Sequence, residues 1–172
     1  MMARKYWIIF LKSLGLFAAG SIPGYLFYFF FSSQSAYIIE RFKVLQSLFG
    51  IDQYSGGMTL SKVLLTIFIG NIISIVCYTA LGYARLSLPV SFISGFFIAV
   101  FLFSGIIRHG TAIPPEVIAL VSIEMLYRII AVSTGEYLIK YRFKNRHIPI
   151  IALSCVFVLY IAAGLYEVWQ IF

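Results

Sequence analysis

The sequence predicts an all-α fold, a polytopic membrane helix bundle of about five transmembrane helices plus a short interfacial amphipathic helix. Three observations predict it. Of the 172 residues, 62% are hydrophobic and only 11% charged, and the mean hydropathy is +0.98; no water-soluble domain of this size needs so much apolar surface. Five apolar runs reach the roughly 18 residues that mark a membrane span. Lys and Arg gather between those runs, so the formal net charge of +7 reads as topology and contact with anionic lipid, not as a nucleic-acid surface. The chain is read as a single integral membrane domain, 1–172.

The first span is expected at 13–31, after Arg4, Lys5 and Lys12. It resembles a signal peptide with Ala18-Ala19-Gly20 in the place of a cleavage site, but Lys12 interrupts it and the apolar run continues past Gly20, so it is read as a retained span. Gly20 and Gly24, with Pro23 between them, allow close helix approach and a bend, and could join two copies of the chain. A stripe of Ile38, Phe42, Leu45 and Phe49 then predicts the interfacial helix at 36–50, closed by Gly50, with Gly56-Gly57 as a hinge. The second span, 63–83, carries one strongly polar residue, Asn71, expected to bond a neighbouring helix, with Gly70 and Ser74 as small residues on a packing face. Arg85 and Pro89 mark a turn before the third span, 90–107, where Ser91, Ser94 and Gly95 are small contacts.

Arg108, His109, Gly110 and the Pro114-Pro115 pair end that helix, and the fourth span, 115–138, starts with Glu116 in its first turn, where an acid suits the helix dipole. The last span, 148–170, has Ala162, Ala163 and Gly164 as small contacts and Tyr166 and Trp169 as interface anchors.

The fourth span organises the rest. Glu116, Leu120, Glu124 and Arg128 recur every fourth residue, which puts them on one helix face. An ionisable group at membrane depth costs about 2.5–3.5 kcal/mol on insertion scales, so such residues face a bundle interior or a watery cavity and find partners. Glu124 and Arg128 have the spacing to pair. The face is either a substrate, ion or partner site or a structural ion pair that fixes helix rotation. His109 could pair with Glu116 or cap the helix before it. Cys77 and Cys155 read as small buried hydrophobes, and His109 and His147 are too far apart for a metal-ligand pattern, so neither metal nor other cofactor is expected.

Counting basic residues gives an orientation. With the N-terminus inside, Arg4, Lys5, Lys12, Arg85, Lys140, Arg142, Lys144 and Arg146 lie on the inner side and Arg41, Lys43, Lys62 and Arg108 on the outer. The N-terminus is therefore expected in the cytoplasm and the C-terminus outside the cell membrane. The basic loop Lys140, Arg142, Lys144 and Arg146 alternates with Tyr141 and Phe143 and reads as a juxtamembrane, lipid-facing loop.

In their order, Gly24-Tyr25, Gly70-Asn71 leading to Gly82, Ser94-Gly95, His109-Gly110, and Pro115-Glu116 followed by Val117-Ile118-Ala119 resemble the stage II sporulation protein M family of bacterial and archaeal membrane proteins. Ser94 stands where that family usually has Asn, and the interval from His109 to Glu116 is longer than the family's. The resemblance implies a non-enzymatic component of membrane remodelling and of complexes of membrane and cell-envelope proteins; from the basic loops and the Gly20-Gly24 face, membrane lipids and a second copy of the chain are further expected partners.

The leading expectation is thus a structural or assembly protein of the cell envelope. Its rival is a small transporter, channel or lipid-moving protein in which Glu116, Glu124 and Arg128 line a wet cavity. An intramembrane enzyme ranks third: Cys77, Arg128 and His147 have the residue types of sortase-like transpeptidases, but the expected topology puts His147 and His109 on opposite sides. Serine, rhomboid-type and metalloprotease motifs are missing, so no catalytic residues are assigned.

Overall fold

A computed structural model describes residues 2–48, 59–109, 113–141 and 146–171, excepting the side chains at 2, 43, 45–48, 106–109 and 171. The described residues form six helices: α1 (Met2–Phe30), α2 (Ser32–Leu48), α3 (Leu60–Tyr83), α4 (Ser87–His109), α5 (Pro115–Tyr141) and α6 (His147–Ile171). Five of them, all but α2, are long and apolar enough to cross a membrane.

Helix α1 starts eleven residues before the expected span and absorbs Lys5 and Lys12. Tyr6, Ile9 and Phe10 pack into the core while Trp7, Ile8 and Leu11 face outward, so apolar side chains surround the early turns on both faces. Long lysine stems cover such surface while their heads reach for water, which is why a charged residue does not end the helix. At the other end α1 breaks at Phe31 and α2 packs on α4. Helix α2 buries Ser35 and Ile39, Ile38 is half-buried, and the exposed Phe42 stacks on Phe97 at 6.2 Å between ring centroids. The expected stripe is therefore turned by about one residue. Phe49, Gly50 and the Gly56-Gly57 hinge lie outside the described residues.

The turn from α3 to α4 is only three residues long. Leu86 N–H donates to Leu81 O and Arg85 N–H to Gly82 O, at 3.0 and 2.8 Å. This is a Schellman closure, which wants glycine at its left-handed position. Here Arg85 occupies that position, with φ 63°.

The helices pair out of chain order. Gly20 meets Phe92, Gly24 meets Phe96, and the Tyr28 ring stacks on Phe103, so α1 and α4 run parallel. Helices α3 and α5 are parallel too, with Asn71 beside Tyr127 and Thr79 beside Gly135. Small residues make both crossings. A Cβ on Gly20, Gly24 or Gly95 would strike the carbonyl oxygen of Phe92, Phe96 or Phe17 respectively; one on Gly82 or Gly135 would strike that of Val132 or Thr79. Without water to drive association, such backbone approach supplies the packing that holds membrane helices together. The Gly20–Gly24 face, expected to be free to join two copies, is covered by α4 of the same chain.

Helix α5 is the axis of the bundle. It touches α1, α3, α4 and α6, and every residue from 131 to 137 is buried. Apolar side chains such as Leu65, Val76, Ile151, Phe157 and Val158 coat the outside. An apolar surface this continuous suits lipid rather than water. Cys77 and Cys155, expected inside, lie on that outer surface as free thiols, because the packed faces of α3 and α6 are set by Val63, Ile67 and Asn71 and by Ala152, Val156 and Ala163.

Candidate functional site

Where α3 crosses α5, two residues of α5 reach one side chain of α3. The Tyr127 hydroxyl donates to Asn71 Oδ1 at 2.9 Å, and Arg128 Nη2 approaches the same oxygen at 3.4 Å. The same guanidinium nitrogen donates to Glu124 Oε2 at 3.2 Å, one turn back along α5. Glu124 and Arg128 keep only 17% and 18% of their side-chain exposure, and Tyr127 none. Arg128 also lies over the Tyr127 ring, 5.7 Å from its centroid. Its Nε is buried with no partner among the described residues.

The face expected from the i, i+4 spacing is thus only partly assembled. Glu124 and Arg128 come together and recruit Asn71, but Glu116 is exposed, eight residues or roughly 12 Å of helix rise away. The side chain of His109 lies outside the described residues, as do Gly110, Arg142 and Lys144; Lys140 belongs to a second site and Arg146 is exposed. Gly70 is half-buried on α3. Ser94 accepts from the Tyr78 hydroxyl at 2.6 Å while donating to Val90 O at 2.7 Å, which ties α3 to α4.

The second site was not assigned from sequence. Glu136, 5% exposed, accepts from Lys140 through one carboxylate oxygen and from Ser87 through the other. Ser87 begins α4, so this carboxylate joins the end of α5 to the start of α4. Nearby the Tyr6 hydroxyl donates to Thr134 Oγ1 at 3.2 Å, since that oxygen spends its own proton on Ile130 O. The i, i+4 spacing of Glu136 and Lys140 was a usable signal, but Ser87, 49 residues from Glu136, was not.

Chemically, the Asn71 cluster holds one cation and one anion with shared hydrogen bonds, the arrangement by which a charge pair is kept within a low-dielectric bundle. No group of three or more His, Cys, Asp or Glu side chains that could hold a metal ion occurs among the described residues.

Fold and surface together define a multi-pass, all-helical membrane protein. No protein-family model, curated protein or solved structure matches the chain.

Proposed function

We propose that this chain is a non-enzymatic structural or assembly component of a membrane or cell-envelope complex, set with its N-terminus in the cytoplasm and its C-terminus outside. One observation carries the reading: the charged pair of α5 is held from inside the chain, Arg128 Nη2 by Glu124 and by Asn71 of α3. A pair matched in this way fixes the rotation of α5 against α3 and asks nothing of a passing solute. The resemblance of its motif order to the stage II sporulation protein M family points to the same role and to other membrane proteins as partners, and the basic loops point to membrane lipids.

A transport or lipid-moving role has one observation in its favour, the buried Arg128 Nε that no described group satisfies. Water at that nitrogen would need a path to the surface. A Glu124→Cys substitution in a Cys77→Ser, Cys155→Ser background tests both readings in intact membranes. Protection from a membrane-impermeant thiol reagent on both sides is the expected result; rapid labelling from either side would replace the scaffold with a conduit.

A further inference from the structure

A cavity of about 230 Å³ opens where α1 begins, α4 begins and α5 ends, lined by Lys5, Lys12, Lys140 and Glu136 with Ile8 and Leu88 in its wall. Its one acid is already engaged, since Lys140 and Ser87 take the two oxygens of Glu136. Lys5 sits over the Tyr141 ring at 5.0 Å, and neither Lys5 nor Lys12 has a carboxylate partner among the described residues. Three lysines and one carboxylate thus line the cavity, which leaves its wall with an excess of positive charge.

Depth makes that excess matter. Lys12 lies two turns further along α1 than Lys5, roughly 10 Å by helix rise, inside the segment long and apolar enough to span. An ammonium there is costly unless it meets an anion or water. Ile8 and Leu88 are 45% and 38% exposed, so apolar surface borders the opening on the side that meets lipid. The volume is below the roughly 300–1,000 Å³ of pockets that enclose drug-sized ligands, and suits one small headgroup.

We propose that this cavity binds a phosphate group, and that the group is the headgroup phosphate of an anionic phospholipid whose acyl chains lie along Ile8 and Leu88. Lys5 and Lys12 are its primary charges, each a mobile triple donor suited to phosphate oxygens. Lys140 is shared with Glu136 and closes the wall. The site is independent of the role given to the Asn71 cluster.

The test uses the full chain purified in mild detergent and exposed to equal amounts of phosphatidylglycerol and phosphatidylcholine, with bound lipid read by native mass spectrometry. One phosphatidylglycerol per chain is expected to be retained in preference. With about 1 kcal/mol per lysine near a lipid surface, Lys5→Gln with Lys12→Gln weakens that retention roughly 30-fold. Lys5→Arg with Lys12→Arg keeps it, which separates lost charge from lost folding, and Lys62→Gln leaves it unchanged. Equal retention of the two lipids, or of phosphatidylglycerol by the double glutamine variant, overturns the proposal. Inorganic phosphate distinguishes the source: lipid held at millimolar phosphate supports the lipid headgroup, whereas displacement by phosphate, or phosphate binding without lipid, overturns the lipid occupant in favour of a soluble one.

Discussion

Asn71 and Tyr127 meet side chain to side chain in the middle of the bundle, hydroxyl to amide oxygen at 2.9 Å across the α3–α5 crossing. The same oxygen is within 3.4 Å of Arg128, so one amide serves two donors of the neighbouring helix. Asn71→Leu therefore strands a hydroxyl and part of a guanidinium together, and is expected to cost about 1–3 kcal/mol. Tyr127→Phe removes one donor and leaves Asn71 with Arg128, at a cost of about 0.6 kcal/mol, the average for interhelical bonds in membranes. Unfolding of both variants and of the double variant in mixed micelles measures the coupling; additive losses would mean the bond carries no energy.

Gly82 and Gly135 lie against each other's helices so closely that a methyl group on either strikes a backbone carbonyl. Backbone cannot rotate aside as a side chain does. Gly82→Ala and Gly135→Ala are expected to destabilise by about 1–3 kcal/mol, as overpacking does. Gly15, with open space around its Cβ position, is the control: Gly15→Ala should stabilise by up to about 1 kcal/mol through helix propensity. Thermal unfolding of the three variants in one detergent makes the comparison.

Lys140 and Glu136 are unequal partners, their side chains 44% and 6% exposed. Removing the lysine strands a buried carboxylate, whereas removing the acid's charge leaves a lysine that can turn to water. Lys140→Ala is thus expected to cost more than Glu136→Gln, and Glu136→Gln added to Lys140→Ala should recover part of the loss. Equal costs for the two single variants would show the pair to be exposed.

Arg85 holds a left-handed conformation that the closure of α3 demands. For an L-residue this costs about 1–2 kcal/mol, and glycine gives back about half of that through its freer unfolded chain. Arg85→Gly should raise stability by up to about 1 kcal/mol, read as a higher midpoint of thermal unfolding. A lower midpoint would show that the arginine side chain contributes more than its backbone costs.

The periodicity of the chain made the spans legible, and the isolation of Asn71 among apolar residues announced a bond to another helix. The spacing of Glu124 and Arg128 announced their pair. What spacing cannot carry is which helix meets which. Ser87 reaches Glu136 across 49 residues, and nothing local in either residue names the other. The outward thiols of Cys77 and Cys155 and the early start of α1 were hidden for a related reason: in an all-apolar helix the buried face is chosen by the neighbour's glycines and by lysine stems, not by a hydrophobic stripe of its own.

The parallel pairing of α1 with α4 sets a timetable for biogenesis. Helix α1 ends at Phe30 and its partner is complete only at His109, which at about 5–20 residues per second comes roughly 4–16 s later. Through that interval its bare Gly20–Gly24 groove must wait in the membrane while two hairpin-forming spans are made. The chain is therefore expected to acquire its final form by late docking, with α1 the element most exposed to insertion factors and to premature partners.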